Sequence, residues 1–269
     1  MPDLINPERP KVIAVANQKG GVGKTTTTIN LSAALAEQGL NVLVIDLDPQ
    51  GNASTGLGIE TEDREYTTYE FLLDDVALSS LILGTSTENV SLIPATVDLS
   101  SADIELYNNE KRSFLLHDAI QQVGMKDYKF DYILIDCPPS LNLLTVNAMV
   151  ASDSVIVPLQ SEFFALEGLS QLMMTIREVR QTANPRLRIE GIVLTMYDAR
   201  NNLSQQVEAD ARANLGDLVF ESVIPRNVRV SEAPSYALPV LSYDSGSKGA
   251  IAYRSLATEL LAKNDQVAA

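Results

Sequence analysis

A glycine-rich loop between an apolar segment and a helical segment constrains this chain more than any other feature. Residues 12–16 are mostly apolar, residues 19–26 read Lys-Gly-Gly-Val-Gly-Lys-Thr-Thr, and residues 25–38 have helical spacing ended by Gly39. The glycines let successive backbone N–H groups point inward, and the N-terminus of the following helix adds its positive dipole end. The sequence therefore predicts a pocket for phosphate oxygens where a strand runs into a helix.

The side chains of this loop suit the phosphates of a nucleotide. Lys24 can reach the β- and γ-phosphates, and the hydroxyl of Thr25 is placed to bind Mg²⁺. A chance glycine-rich turn is the alternative, and the strand–loop–helix setting disfavours it. We therefore predict a P-loop ATPase with ATP and Mg²⁺ as cofactors. Its predicted loop contacts are Lys19, Gly20, Gly21, Val22, Gly23, Lys24, Thr25 and Thr26.

Carboxylates follow two further apolar segments. Asp46 ends the apolar segment 42–46, and Asp48 follows two residues later. Asp136 ends the apolar segment 132–136. Since ligands bind at the carboxyl edge of parallel sheets, we predict that Asp136 holds Mg²⁺ through water. Asp46 and Asp48 share a side of an extended chain, so one could orient the attacking water while the other assists Mg²⁺. A pair of solvated loop acids is the alternative.

Short β-branched runs alternate with longer helical segments along the chain. Because continuous apolar runs separated by helices indicate parallel strands buried on both faces, we expect a three-layer α/β/α fold. Its mostly parallel twisted sheet would carry helices on both faces. Strands are predicted at residues 12–16, 42–46, 90–93, 132–136, 154–157, 189–195 and 219–224, and helices at residues 25–38, 166–180 and 203–215.

The chain shows no internal repeat and no low-complexity linker, so one domain is expected over residues 1–269. Residues 1–10 are predicted to be a flexible N-terminal segment, residues 60–65 an exposed charged loop, and residues 264–269 a frayed tail. No apolar run is long enough to span a bilayer, and residues 1–10 lack the core of a signal peptide. These features predict a cytoplasmic location.

The single cysteine and the single histidine limit which metal sites, disulfides and catalytic triads the chain can form. Cys137 alone cannot form an internal disulfide, and it cannot by itself supply a cysteine-rich metal or cluster site. No motif around His117 indicates a zinc site or a catalytic triad. We expect Cys137 to be a packed, neutral side chain and His117 a surface or packing residue.

The net charge of −15 is distributed unevenly. Taken alone, it argues against nucleic acid and anionic membranes as partners. Residues 177–229, however, carry eight basic residues and seven acidic ones, so this window is +1 and the remainder is −16. Arginine suits bidentate phosphate contacts, and we expect about half of these arginines to pair with local acids instead. All eight are arginines: 177, 180, 186, 188, 200, 212, 226 and 229.

Residues 17–26, Asn-Gln-Lys-Gly-Gly-Val-Gly-Lys-Thr-Thr, resemble the deviant Walker A motif of ParA/MinD-type ATPases. In that family the extra lysine, matched here by Lys19, crosses a dimer interface and contacts the nucleotide of the other subunit. Residues 46–52 resemble the family's switch I, whose second aspartate, here Asp48, supports hydrolysis. The resemblance implies Lys19, Lys24 and Asp48 as catalytic residues. The metal site would then combine Thr25, Asp46 and Asp136.

The resemblance covers nearly the whole chain and is strongest to the chromosomal ParA/Soj type. In the family, Pro225 and Asn227 lie beside the adenine, and an amide can offer a donor and an acceptor to a base edge. A simple turn after a strand is the alternative. Because the first strand is predicted to begin at about Lys11, the N-terminal helix-turn-helix domain of larger plasmid relatives is not expected here. Further matching segments are residues 137–140, 141–149, 158–160, 163–168, 195–200 and 224–234.

In Soj-like members the ATP-bound homodimer binds DNA without sequence preference. Arg200 and Arg229 match positions implicated there, and Arg226 joins them as a candidate DNA-binding residue. The resemblance also implies a ParB-type centromere-binding partner that speeds hydrolysis, and association with the nucleoid. Whether the partitioned replicon is a chromosome or a plasmid stays open.

Two other readings remain. A MinD-like membrane-associated ATPase would need a C-terminal amphipathic helix with a basic face, whereas residues 251–263 have mixed charge and apolar positions suited to packing. No stable membrane anchor is therefore expected. An iron–sulfur reductase would need cluster cysteines, and an amide- or ring-forming synthetase would need an acceptor-substrate pocket for which no motif is visible.

Overall fold

The computed structural model describes residues 9–74, 76–106, 109–162 and 165–268. Within these ranges seven strands form one sheet in the order β3-β4-β2-β5-β1-β6-β7. Neighbouring strands pair in parallel, except that β3 runs antiparallel to β4 at one edge. The strands are β1 (Lys11–Val15), β2 (Val42–Asp46), β3 (Leu83–Gly84), β4 (Val90–Ile93), β5 (Tyr132–Asp136), β6 (Ser154–Gln160) and β7 (Arg188–Thr195).

Helices connect the strands and cover both faces of the sheet. They are α1 (Lys24–Ala36), α2 (Asn52–Gly56), α3 (Thr68–Leu73), α4 (Leu78–Leu81), α5 (Ala102–Glu105), α6 (Leu115–Ile120), α7 (Leu143–Ala151), α8 (Ala165–Thr182), α9 (Asn202–Leu215), α10 (Val228–Glu232), α11 (Val240–Tyr243) and α12 (Lys248–Ala268). Short 3₁₀ segments lie at Thr61–Asp63, Val97–Ser101, Val123–Tyr128, Gly216–Leu218 and Ala233–Tyr236. Most of the predicted flexible segment, residues 1–8, lies outside the described residues.

The side chains of each central strand alternate between two cores. Val12 and Ala14 of β1 face a core shared with helices α3, α4 and α6–α9, whereas Ile13 faces a core shared with α1, α11 and α12. Both sets are fully or almost fully buried, as expected for parallel strands covered on both faces. The predicted three-layer α/β/α architecture is confirmed.

Strand β6 continues through Pro158, where the sequence pattern predicted that it would end. Ala16 N donates to Ile156 O at 3.1 Å, and the side chain of Asn17 donates to Pro158 O at 2.7 Å, so both carbonyls face β1. The paired strand β1 has already ended at that level, so the missing N–H of Pro158 loses no ladder bond. On the other side the pairing with β7 extends to Gln160.

Residues 219–224 were predicted as a strand, and that prediction is wrong. Phe220 N and Ile224 N each bond to β7, at 2.9 and 2.8 Å, but the backbone between them leaves the sheet. The carboxylate of Glu259 on α12 accepts from Glu221 N at 2.7 Å and from Ser222 N at 2.9 Å. These side-chain bonds replace the ladder bonds, so only isolated bridges remain.

The tail predicted to fray is helical, because α12 continues to Ala268. Asn264 is buried and bonds to the side chains of Lys11 and Tyr132, the latter at 3.0 Å. Lys11 in turn donates to Glu190 at 2.8 Å in a pair whose side chains are 6% and 4% exposed. This buried polar group fastens α12 to the amino end of the sheet. Residue 269 lies outside the described residues.

Residues 60–65 are not simply an exposed loop. They include the 3₁₀ turn Thr61–Asp63, whose side chains are exposed as predicted. Arg64, however, is buried and donates hydrogen bonds to backbone carbonyls of Ile59 and Ala95. A charged composition predicted exposure, but Ile59 O and, just beyond β4, Ala95 O offer this guanidinium internal hydrogen-bond acceptors.

Candidate nucleotide site

The glycine-rich loop joins β1 to α1 at the carboxyl edge of the sheet. Gly21 and Gly23 have φ angles of 74° and 87°, a region in which L side chains are strained. Thr195, the last residue of β7, donates its hydroxyl hydrogen bond to Val22 O at 2.8 Å and fixes the loop to the sheet. The loop therefore has the backbone conformation that the phosphate-binding prediction requires.

Lys24 lies inside this loop and is only 6% exposed. Its ammonium group donates to Lys19 O at 3.2 Å. Burial lowers the pKa of Lys24, and the nearby carboxylate of Asp136 counteracts that effect. A buried ammonium with one neutral hydrogen-bond acceptor is a ready partner for an anionic ligand.

Asp136 ends β5 directly opposite Asp46 of β2 and is completely buried. Its Oδ1 accepts from the hydroxyl of Thr28 at 3.2 Å, whereas its Oδ2 has no hydrogen-bond partner among the described residues. Burial, followed by the charge of Asp46, raises the pKa of Asp136, although Thr25 and Thr28 oppose the shift. A buried carboxylate oxygen without a partner costs free energy, and a cation would remove that cost.

These features fit Mg²⁺, with Asp136 and Thr25 as the protein groups that would hold it. Mg²⁺ commonly uses one or two carboxylates together with water and substrate phosphates. The described residues contain no cluster of three or more His, Cys, Asp or Glu side chains suited to a metal.

Asp46 uses its oxygens to hold the start of α2. Its Oδ2 accepts from Ser54 N at 2.9 Å and Ser54 Oγ at 2.7 Å, and its Oδ1 accepts from Asp48 N at 3.2 Å. Burial raises the pKa of Asp46 to about 6 despite these bonds. A role as a magnesium ligand stays a prediction, while its structural role in shaping the loop is visible.

Asp48 lies two residues further along, as the sequence pattern predicted, and is 7% exposed. Its Oδ1 accepts from Gln50 N at 3.0 Å, and Gly51 N donates to Asp48 O at 2.9 Å in a tight turn. The structure thus places Asp46, Asp48 and Asp136 at one edge of the sheet, beside Lys24. The charges of Asp136 and Asp48 raise the pKa of Lys24, against the effect of burial.

Lys19 points away from the buried part of the loop. Its ammonium forms an ion pair with Glu162 at 3.1 Å, in which the two side chains are 38% and 47% exposed. Its backbone N–H donates to the side chain of Asn17 at 3.0 Å. A partly exposed lysine at the mouth of the loop is accessible to another subunit, as the predicted role requires.

Pro225 and Asn227 follow β7 on the side of α12. Pro225 forms a β-bridge with Tyr197, which lies two residues after the end of β7. The last residue of β7, Thr195, contacts the phosphate loop. Asn227 caps α10, since its Oδ1 accepts from Arg229 N at 2.8 Å. Its amide nitrogen remains available as a donor, so contact with an adenine edge stays a prediction.

The arginine-rich window divides as expected. Arg188, Arg200, Arg212 and Arg229 form ion pairs with described carboxylates. The other four make no such pair within 4.0 Å among the side chains that the structure describes: Arg177, Arg180, Arg186 and Arg226. Arg200 is paired with Asp198 at 3.0 Å and yet its side chain is 90% exposed, so it remains accessible.

Several polar residues of the site were missed by the sequence analysis. Thr28 reaches Asp136 from the second turn of α1, Ser54 holds Asp46, and Asn17 joins β1 to β6. Thr28 lies four residues after Lys24, and Ser54 lies three residues after Gly51. This spacing of about one helical turn from a motif residue is the signal that could have pointed to them. Thr195 begins a segment that resembles the family, residues 195–200, but its contact with the phosphate loop was not predicted.

The strand–loop–helix with its buried lysine and facing aspartates defines a P-loop nucleotide-binding protein. A family model described as "AAA domain" matches residues 10–189. The chain is 56% identical over 253 residues to the chromosome partitioning protein ParA of Caulobacter vibrioides, and the match covers 94% of each. It is 52% identical over 252 residues to the sporulation initiation inhibitor protein Soj of Bacillus subtilis, covering 94% of this chain and 98% of that protein.

A solved structure is also similar. Cobyrinic acid a,c-diamide synthase from Mycobacterium smegmatis, with bound ATP analogue and magnesium, is 40% identical with a TM-score of 0.80 over 94% of both chains. On the sequence matches, the chain belongs to the ParA/Soj family of chromosome-partitioning ATPases. None of the described helices is long and apolar enough to cross a membrane.

Proposed function

We propose that this chain hydrolyses ATP as a magnesium-dependent, nucleotide-bound dimer that holds DNA until hydrolysis releases it. The observation that carries the ATPase assignment is the unpartnered, buried Oδ2 of Asp136 beside the buried ammonium of Lys24. The ATP analogue and magnesium in the similar Mycobacterium smegmatis structure support the same ligands.

Within this proposal each residue has one task. Lys24 binds the β- and γ-phosphates, and Asp48 orients the attacking water. Asp136, assisted by Thr25, holds Mg²⁺, which when bound neutralises phosphate charge. Lys19 leaves Glu162 and reaches the nucleotide of the partner subunit, where a second cation stabilises the transferring phosphoryl group.

Separating Lys19 from Glu162 would cost little free energy. Its pair with Glu162 is partly exposed on both sides, and exposed ion pairs contribute roughly 0–1 kcal/mol. A nucleotide phosphate group offers the same ammonium a more highly charged partner. Dimerisation would thus be coupled to ATP binding and to hydrolysis through one side chain.

The proposed DNA contacts are Arg200, Arg226 and Arg229. Arg200 and Arg226 follow β7 in neighbouring loops, where Arg226 N donates to Tyr197 O at 2.9 Å. Arg226 is exposed, and Arg229 is 52% exposed in spite of its pairs with Glu232 and Asp244. A dimer would present two such sets, and their combined valency would raise the affinity for a polyanion.

The proposed protein partner is a ParB-type protein with a basic segment. Outside the arginine-rich window the chain carries a charge of −16, from −15 in total and +1 in the window. This negative charge would attract a basic peptide and speed its association. Stimulated hydrolysis would then open the dimer and free it from DNA, giving a cytoplasmic, nucleoid-associated protein.

The membrane-associated alternative finds little support in α12. Tyr253, Leu256 and Leu260 are at most 1% exposed and pack in the core shared with α1. These described apolar side chains of α12 are buried in the domain and are therefore not available to a lipid surface.

An amide-forming synthase is the second candidate, because a synthase is among the similar structures. A thiol nucleophile for such chemistry would have to be Cys137, the one cysteine of the chain. Cys137 is completely buried, and burial strongly raises the pKa of its thiol. It is therefore unsuited to nucleophilic attack.

The proposal is tested by binding to a random-sequence DNA duplex in a non-hydrolysable ATP analogue, in ADP and without nucleotide, at two salt concentrations. Wild type should bind only with the ATP analogue, more weakly at high salt, and Arg200→Ala should bind less. Arg254→Ala, which removes an arginine that is paired with Glu37 and is not among the proposed DNA contacts, is the matched control. Absence of binding in every state by folded, ATP-bound protein would contradict the DNA-holding function.

A further inference from the structure

The loop that carries Asp48 is packed against one arginine from the segment after α2. Gly51 has a φ angle of 62°, and a Cβ built there would lie 2.4 Å from Nη1 of Arg64 and 2.8 Å from Ala95 O. The guanidinium therefore lies in direct contact with the loop backbone. Arg64 itself lies outside the recognised nucleotide motifs, whereas Gly51 belongs to the segment of residues 46–52 that resembles switch I.

Hydrogen bonds from Arg64 connect three separate segments. Nη1 donates to Ala95 O at 3.0 Å beyond β4, and Nη2 donates to Ile59 O at 2.7 Å and to Thr55 Oγ1 at 2.8 Å. Thr55 Oγ1 donates in turn to Gly51 O at 3.2 Å. A continuous chain of bonds runs from the edge of the sheet, through the guanidinium, to the loop of Asp48.

A second set of bonds reaches the same loop from the other side. Ser54 Oγ donates to Asp46 at 2.7 Å and accepts from Ala95 N at 3.1 Å. Asp46 also accepts from Asp48 N at 3.2 Å. Ala95 is thus bonded through its N–H to Ser54 and through its carbonyl to Arg64, so both sets share one anchor.

The chemistry of this position requires a guanidinium. Arg64 is 8% exposed, its described hydrogen bonds all go to neutral oxygens, and burial lowers its pKa. A planar fork of five donors can satisfy acceptors in several directions at once, whereas a lysine presents one point charge. The free-energy cost of burying this cation is offset only if the guanidinium N–H groups all find well-placed hydrogen-bond acceptors.

We propose that Arg64 is a positioning residue for ATP hydrolysis, which holds residues 48–56 so that the carboxylate of Asp48 meets the attacking water. This inference rests on the proposed role of Asp48. Because Arg64 acts on the water-orienting loop and not on the phosphate loop, it should affect turnover and leave nucleotide affinity unchanged.

The test is steady-state ATP hydrolysis together with equilibrium binding of a fluorescent ATP analogue. Arg64→Ala should lower kcat by about 10-fold or more, since small displacements of a catalytic group have effects of that order. KM and the affinity for the analogue should stay within about twofold. Arg64→Lys should give an intermediate kcat, and added guanidinium ion should restore part of the activity of Arg64→Ala.

Thr55 supplies a second variant that leaves the buried arginine in place. Its side chain is exposed, so Thr55→Val should fold normally while losing the bonds to Arg64 and Gly51. We expect its kcat to fall by about threefold, and Thr55→Ser, which keeps the hydroxyl, to behave as wild type. If circular dichroism shows that Arg64→Ala does not fold, the comparison of kcat between Thr55→Val and Thr55→Ser tests the proposal.

Arg254→Ala and Asp48→Ala are the controls. Arg254 makes a similar number of hydrogen bonds, to Glu37 and Ser245, and its removal should leave kcat unchanged. Wild-type kcat in folded Arg64→Ala or Thr55→Val would overturn the inference, as would equal losses of kcat and nucleotide affinity. Wild-type kcat in Asp48→Ala would instead remove the proposed catalytic role of Asp48 itself.

Discussion

The ammonium group of Lys19 lies 3.1 Å from Oε2 of Glu162, so a carboxylate of its own subunit holds this lysine in the single chain. In the proposed dimer Lys19 would reach the nucleotide of the other subunit. The same side chain therefore has two competing partners, one within the subunit and one across the proposed interface. In this proposal the Lys19–Glu162 pair would oppose dimerisation, and only weakly, because both side chains are partly exposed.

Glu162→Gln should tighten the dimer formed with a non-hydrolysable ATP analogue by up to about fivefold, because an exposed pair contributes roughly 0–1 kcal/mol. Lys19→Ala should prevent that dimer and retain ATP binding. Sedimentation velocity measures both, with Glu178→Gln on α8 as a control for the loss of one negative charge. A dimer weakened by Glu162→Gln would show that this carboxylate contributes to the interface instead.

Asp136→Asn should separate stability from function. In the ligand-free protein it replaces a completely buried carboxylate with a neutral group of the same shape, so thermal stability should stay equal or rise. Magnesium-dependent ATP binding and hydrolysis should be lost, because the cation loses its charged ligand. Calorimetric titration with ATP, with and without EDTA, measures this effect. Full magnesium dependence in the variant would contradict the assigned metal site.

Asp198→Asn should strengthen DNA binding. Hydrogen bonds from Arg200 lower the pKa of Asp198 to about 2, so this carboxylate stays charged at any physiological pH and competes with phosphate for Arg200. The amide keeps an acceptor for Arg200 N and removes the competing charge. We expect higher affinity in the ATP-analogue state and a salt slope steeper by about one. Asp210→Asn on α9 changes the net charge equally, so an equal effect of both variants would refute local competition.

Lys11→Met should destabilise the fold far more than a surface change. It leaves the buried Glu190 with only its longer described pair, to Arg188 at 3.5 Å, and breaking a buried pair costs up to about 3–5 kcal/mol of unfolding free energy. Lys263→Met, which removes a partly exposed pair with Glu259, should cost less than about 1 kcal/mol. Urea denaturation compares the two variants. Replacing both Lys11 and Glu190 by apolar residues should recover much of the loss.

Strand bounds were predicted accurately where the sequence signals are local. The bounds of β2, β4 and β5 agree with the structure, since each is an apolar run ended by a polar residue or a proline. The errors arose where a partner distant in sequence changed the backbone. Glu259 draws residues 221 and 222 away from the sheet, and Asn264 holds the C-terminal helix that was expected to fray.

The sequence by itself determined the order of the elements, the phosphate loop and the aspartates at the strand ends, because each is written in a few consecutive residues. Only the tertiary structure decided which distant groups meet. The contacts of Thr28 with Asp136, Glu162 with Lys19, and Arg64 with Ala95 join segments far apart in the chain. Burial of a charge depends on what packs over it, so a pattern of consecutive residues cannot show it.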